Sequence, residues 1–445
     1  MTEVKKTNRD IKHAAFADDL DGAGKIMRLR DWWNSIKTYG PPLGYFPRGD
    51  KSWLIVKEAL IDEALVAFED TNVKITTEGH KNLGGFIGNE IGCDGYKDEL
   101  IDKWSKQLRR LCRIAKSEPQ AAYTAFVSGF KHKLTYHIRV IPSFSQHLKV
   151  FDDIITHEFI PAITDGRAVS ANERIHLSLP VKLGGLAIPI FNESCDADFR
   201  NSKLICDQQI QAIVKQNEIF DKSEYVNTTN EARAKVVKDK EKANHDKLET
   251  LRSTMSTEQL RANDVAQMKG ASNWLTALPL KDQNYSLSKG EFVDAIYLRY
   301  RWQMKRLPAN CGCGDKFSVD HALSCPKGGY IIRRHDEIRD LLGTVLKDVA
   351  YDVSIEPLLT PLSGEKLPVS SIKGDDARLD FAAKGFWRRC EKAFFDVMVF
   401  NPFAKTHLNQ KLSTAFSSGE KGKKRGYNQR IIEVEHGSFT PVVFS

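Results

Sequence analysis

Between positions 311 and 325 the chain reads CGCGDKFSVDHALSC, so Cys311, Cys313, His321 and Cys325 fall within fifteen residues. Zinc takes four sulfur or nitrogen ligands tetrahedrally, and a close cysteine pair followed by a histidine and a cysteine on one short helix supplies them. Gly312 and Gly314 let the pair form a tight knuckle. Four protein ligands leave no open coordination position, so such a zinc is structural. The alternative is a chance grouping of cysteines in a loop. Cys93, Cys112, Cys195, Cys206 and Cys390 are scattered and read as core residues or bystanders.

A second candidate chemistry lies downstream. ARLDFAA and KAFFDVMVFNP read as neighbouring strands, each carrying one acid, Asp380 and Asp396, among apolar residues. A carboxylate inside a buried strand is costly unless it is paired or bound to a cation. Two strands side by side could bring both acids to one Mg²⁺, which lowers the pKa of water and stabilises charge on a phosphate. RRHDEIRDLLGTVL reads as a helix before these strands, and EKGKKRGYNQRIIEVEHGSF brings lysines and Tyr427 after them. From Lys405 to Arg430 there are seven Lys or Arg against one acid, Glu420. The alternative here is surface acids on edge strands beside a solvated loop.

A second carboxylate pair, Asp18 and Asp19, ends the apolar run HAAFADD. Adjacent acids repel one another and make sense around a cation or facing water in a turn.

The elements that must position these groups alternate in type. Residues 11 to 60 read as short strands and helices, with KSWLIVK a strand, and LGGFIGNEIG at 83 to 92 reads as a tight hairpin. The stretch YKDELIDKWSKQLRRLCRIAK has apolar residues at helical spacing, and LPVKLGGLAIP is a loop or strand. From about 205 to 268 the chain is strongly polar, which predicts an exposed helical connector, and residues 290 to 308 form an amphipathic helix leading into the cysteines. No run approaches the length of a membrane span, and the polar N-terminus lacks a secretory signal, so the protein is expected to be intracellular. The formal charge of +8 suits a phosphate-bearing partner.

The order of these motifs resembles the C-terminal region of site-specific non-LTR retrotransposon polyproteins, in which a CCHC zinc motif precedes a restriction-like PD-(D/E)XK endonuclease. FADD resembles the heart of the reverse-transcriptase palm, and DKSWLIVK and LGGFIG resemble its next motifs. The resemblance implies an α+β multi-domain chain. Its parts would be a partial palm (1–92), a thumb-like helical region (93–204), a charged helical connector (205–289), a helix with the zinc motif (290–330) and an endonuclease domain (331–445). It implies Asp380, Asp396, Lys421, Lys424, Tyr427 and His335 as catalytic. Arg334, Lys51, Lys423 and Arg425 would contact nucleic acid, and Asp18 and Asp19 would be a relic of a polymerase metal site.

Leu379 stands where the endonuclease class has Pro, and Met398 where it has Lys, so the lysine would come from the later motif. Only seventeen residues precede Asp18, too few for the palm strand that brings a third carboxylate or for a fingers subdomain. The expectation is an N-terminally truncated element fragment with structural Zn²⁺, catalytic Mg²⁺, possible residual DNA nicking and no autonomous polymerisation. Target DNA and element RNA would be its partners and the nucleus its location. The alternative is a catalytically inactive nucleic-acid-binding remnant.

Overall fold

In the computed structural model, which describes residues 2–216, 221–305, 307–327 and 330–445, the N-terminal apolar run folds back on itself. Strand β1 (Lys12–Phe16) pairs antiparallel with β2 (Asp19–Ala23), Phe16 opposite Asp19. The hairpin is anchored from below. His13 and Ile11 are buried, and Trp32 of helix α1 (Ile26–Tyr39) donates its indole N–H to Nδ1 of His13 at 2.8 Å. Phe16, at the end of the apolar run, is exposed.

Strand β3 (Trp53–Ile55) pairs parallel with β4 (Lys74–Thr76) through helix α2 (Ile61–Phe68). Because a helix already begins at Glu90, strands β5 (Gly79–Asn82) and β6 (Gly85–Gly88) form a hairpin that lies N-terminal to the expected 83–92. Its turn residues, Leu83 and Gly84, both have positive φ, the geometry that matches the twist of a two-residue hairpin. These are three separate two-stranded ladders and not one continuous palm-like sheet.

Helix α3 (Glu90–Ala115) begins at Asn89, whose side chain accepts the N–H of Gly92, and buries Trp104, Leu108, Cys112 and Ala115 along one stripe. Further helices follow, among them α4 (Lys131–Val140), α5 (Ser145–Ile154) and α6 (Phe191–Lys215). Helix α6 has no cap of its own at Ile190. Buried Asp152 of α5 serves instead, accepting the N–H groups of Phe191 at 3.0 Å and Asn192 at 2.7 Å.

The polar helix α7 (Lys222–Arg252) is not a free connector. It buries Val236, Leu248 and Leu251, and Lys240 and Lys247 pair with Asp198 and Glu193 of α6. A few apolar residues at wide spacing, with flanking ion pairs, suffice to dock it.

The chain divides into two compact units. One comprises Met1–Ser253 and Ser272–Ile296, the other Thr254–Ala271 and Tyr297–Ser445. The boundaries thus fall inside the expected 205–289 and 290–330 segments, because Thr254–Ala271 groups with the C-terminal unit. That unit begins with helix α8 (Thr257–Gln267), whose buried Arg261 donates to the backbone carbonyls of His407, Leu408 and Gln410. Helix α9 (Lys289–Tyr300) ends eight residues short of its expected limit, since Arg301 has φ of +54°. Arg306 lies outside the described residues.

The centre of the second unit is a four-stranded sheet in the order β10 (Ser438–Phe444), β9 (Lys392–Val399), β8 (Phe381–Lys384), β7 (Tyr351–Ile355). β10 runs parallel to β9, and the other neighbours are antiparallel. Alternation along the strands sorts two cores. Phe381, Ala383, Ala393, Phe395 and Val397 pack with Leu346 of helix α11 (Tyr330–Lys347). Ala382 and Phe394 pack with Ile431 and Tyr427 of helix α12 (Leu412–Glu433), together with Phe439. The basic segment, a solvated loop in the alternative reading, is a helix. The short helix α10 (Val319–Ala322) belongs to the cysteine cluster. Among the described residues no helix is long and apolar enough to cross a membrane.

Candidate metal centre and carboxylate site

The cysteine cluster closes on itself. Cys311 N–H donates to Asp315 O at 2.8 Å and Gly314 N–H to Cys311 O at 2.9 Å, with Gly314 at φ +99°, a turn that a side chain would strain. Ser318 caps α10, its hydroxyl accepting the His321 backbone N–H at 3.1 Å. Sγ of Cys311 and Cys325 lie 3.8 Å apart, Sγ of Cys313 lies 3.2 Å from Nε2 of His321, and all four ligand atoms fall within 4.8 Å of one another. Zinc–sulfur bonds of about 2.3 Å in a tetrahedron imply sulfur separations of about 3.8 Å, so the cluster could hold a metal such as zinc.

Arg301 braces the centre from outside the ligand set. Its guanidinium lies 2.5 Å from Asp320, the residue before His321, and 3.1 Å from Glu258 of α8, and it sits 4.3 Å over the Phe403 ring.

The second site forms on the sheet. The β8–β9 register pairs Phe381 with Phe395, which sets Asp380, one residue before β8, opposite Asp396 in the middle of β9. Oδ2 of Asp380 accepts the Val397 N–H at 2.5 Å. Asp396 shares the strand face of Phe394 and so looks toward α12, from which Lys423 places Nζ 2.5 Å from its Oδ2. Apart from that ammonium, no donor reaches the buried oxygen. Burial pushes the Asp396 carboxyl upward and Asp380 beside it adds to the rise, while Lys423 pulls against both. The Tyr427 hydroxyl is raised by its own burial and then by the two carboxylates. His335 of α11 reaches Asp380 from the other side, Nε2 lying 3.3 Å from Oδ2.

The chain matches no family model and no curated protein.

Asp380, Asp396, His335 and Tyr427 are thus brought together, joined by Lys423 in place of Lys421 and Lys424. Lys421, Lys424 and Arg425 are exposed on the other sides of α12. The reason is helical spacing, since Gly419, Lys423, Tyr427 and Arg430 recur every three or four residues and share the sheet-facing side. Helical periodicity would have singled out Lys423 had the segment been read as a helix.

Arg334 is half-buried, and its Nε–H donates no hydrogen bond. Sequence reading misses Glu356 and Arg430 and takes Arg339 only as part of its helix. Glu356 donates its N–H to Asp380 O at 2.9 Å and so continues the row of acids across the sheet. Arg339 ties Glu356, at 2.5 Å, to Asp336, at 3.0 Å. Arg430, fully buried, donates to the carbonyls of Thr360, Ile372 and Gly374 at 2.9–3.0 Å and pins that loop to α12.

In the first unit, Asp18 and Asp19 are exposed at the β1–β2 turn, and Lys51 is exposed as well. Among the described residues only the Cys311–Cys325 cluster brings three or more ligand atoms of His, Cys, Asp or Glu into convergence, so no such set forms around Asp18 and Asp19.

Proposed function

We propose that the second unit nicks DNA with a Mg²⁺ ion held by Asp380 and Asp396, and that the chain is a fragment of a non-LTR retrotransposon reverse transcriptase/endonuclease. The observation that carries this reading is the buried Asp396 opposite Asp380 with an ammonium at 2.5 Å, a costly arrangement that phosphoryl chemistry uses. Mg²⁺ commonly takes one or two carboxylates and completes its shell with water and substrate phosphate. When bound it would lower the pKa of an attacking water and offset charge on the phosphate. His335 holds Asp380 in place, Lys423 offers a positive charge beside the scissile group, and Tyr427 supplies a hydroxyl on the same face.

In this reading the Cys311, Cys313, His321 and Cys325 cluster holds a structural zinc. Lys421, Lys424, Arg425 and Arg334 face the nucleic acid, target DNA and element RNA are the partners, and the protein works in the nucleus. Polymerisation is not assigned to this chain, because Asp18 and Asp19 stand on an isolated ladder.

A second reading, a nucleic-acid-binding remnant without catalysis, is favoured by one observation. The Lys423 ammonium already neutralises the Asp396 oxygen that a cation would take. Incubating the full chain with supercoiled plasmid, with and without Mg²⁺, beside Asp396→Ala, decides between them. Mg²⁺-dependent nicking that the variant loses supports the nuclease, and binding without nicking supports the remnant.

A further inference from the structure

The tip of the β8–β9 hairpin, residues 384–391, lies between the two strand motifs and carries an aromatic side chain held ready. Residues Lys384 to Lys392 read KGFWRRCEK, four cations against the single acid Glu391. Gly385 (φ +80°) and Cys390 (φ +68°) turn the chain, and the tip residues are exposed. Trp387 is 57% exposed, yet its ring is fixed on two sides. Nε1 donates to Thr440 Oγ1 of β10 at 3.1 Å, and the ring meets Phe386 edge-on at 4.8 Å, which in turn meets Phe395 of the core at 5.1 Å.

Exposing that much tryptophan costs free energy, and anchoring it to the core restricts a ring that no packing need demands. Arg388 is 85% exposed and stays 3.9 Å from Glu391, too far for a firm hydrogen bond, and Arg389 is exposed beside it. Lys384 is engaged with Asp352 at 2.8 Å, and Lys392 lies over the Phe394 ring, so the two arginines are the cations the tip presents.

We propose that this hairpin tip binds single-stranded nucleic acid, Trp387 stacking on an unpaired base while Arg388 and Arg389 hold the adjoining phosphates. A rigid aromatic face beside guanidinium groups is the combination that recognises an unstacked base on a charged backbone, and a base inside a duplex offers no free face. Charge complementarity therefore selects a polyanion, and the ring selects one with open bases. The inference deepens the nuclease reading by naming the form of nucleic acid this unit holds, and it is tested without cleavage.

The experiment is fluorescence anisotropy of the full chain with a labelled 20-nucleotide DNA strand, the same strand as a duplex, and its RNA counterpart, without added Mg²⁺. Trp387→Ala is expected to weaken binding of the single strand about tenfold and that of the duplex hardly at all, with Trp387→Phe retaining most of the affinity. Arg388→Ala with Arg389→Ala is expected to lower the salt slope for the single strand by about 1.4. These arginines are exposed, so that variant reports even where the tryptophan variant fails to fold. Equal loss on RNA and DNA supports the shared chemistry, and loss on one alone names the source.

Unchanged affinity and salt slope in the folded variants would overturn the proposal and leave the tryptophan to a protein partner. Equal loss on strand and duplex would overturn it too. An Asp396→Ala chain that no longer nicks but binds normally separates the two readings, and a wild-type chain that binds without nicking removes only the nuclease.

Discussion

Lys423 and Asp396 meet across the helix–strand contact of the second unit, Nζ to Oδ2 at 2.5 Å, with the carboxylate buried and the lysine side chain about one-third exposed. The lysine can swing to water, whereas the acid cannot, so the two halves of the pair are not equivalent to remove.

Lys423→Ala strands a buried carboxylate and is expected to destabilise the second unit by about 2 kcal/mol at pH 7. The folded chain already holds Asp396 above its ordinary pKa, so ionised Asp396 opposes folding at neutral pH, and that cost is relieved as pH falls through the folded pKa. Removing the lysine enlarges the rise. Urea melts should therefore show a smaller defect at pH 5 than at pH 7. Asp396→Asn, by contrast, should be as stable as the parent at pH 7 or more so, while giving no nicking. An equal Lys423→Ala defect at both pH values would refute the assignment.

The cysteine cluster predicts a single bound zinc per chain by elemental analysis. Cys325, buried at 2% exposure, is expected to be the least replaceable ligand, and the half-exposed His321 more tolerant. Cys325→Ser should abolish zinc retention through gel filtration, and His321→Ala should weaken it. Since Asp320 adjoins a ligand and pairs with Arg301, zinc removal should also expose α8 to protease.

Arg430→Met leaves the carbonyls of Thr360, Ile372 and Gly374 without their buried donor, at a cost of about 2 kcal/mol. Limited proteolysis should then cut first within residues 360–374, which the parent holds against α12. Arg430→Lys should not rescue, because one ammonium lacks the planar fork that spans the three acceptors.

Asp152 supplies a pH signature in the first unit. Burial lifts its carboxyl to about 6, against the pull of the Phe191 and Asn192 N–H groups. A raised acid weakens folding above its folded pKa, and the penalty fades as pH falls from about 6 toward the unfolded value near 4. Asp152→Ala should cost about 1 kcal/mol at pH 7 through the lost cap. The difference between parent and variant should grow at pH 5, where only the parent is relieved of the charge.

Some of this was legible and some was hidden for physical reasons. The ligands of the metal centre are local, so their spacing carried the geometry. Asp380 and Asp396 were legible as neighbours because apolar alternation marks both strands. Lys423 was not, because Gly419, Gly422 and Gly426 each disfavour a helix and disguise α12. Gly419 has a packing reason, as a Cβ there would lie 3.1 Å from Met398 Sδ and 3.3 Å from Val443. Glu356 and Arg430 act through backbone groups distant in sequence, which no local pattern reveals. The polar α7 misled in the opposite direction, since three buried apolar side chains among many charges leave almost no periodic signal.

Parallel pairing of β10 with β9 forces the chain leaving the end of β9 to return to its beginning, and α12 is that return path. Met398, two residues beyond Asp396, rests near Gly419, and Lys423 stands one helical turn further on. A cation delivered from such a helix can be relocated in steps of one turn, about 5.4 Å, without disturbing a strand register. Two lineages of this architecture can therefore carry the same charge in the same space from positions that never align. A column-by-column comparison would record a deletion of chemistry where only its point of attachment had migrated.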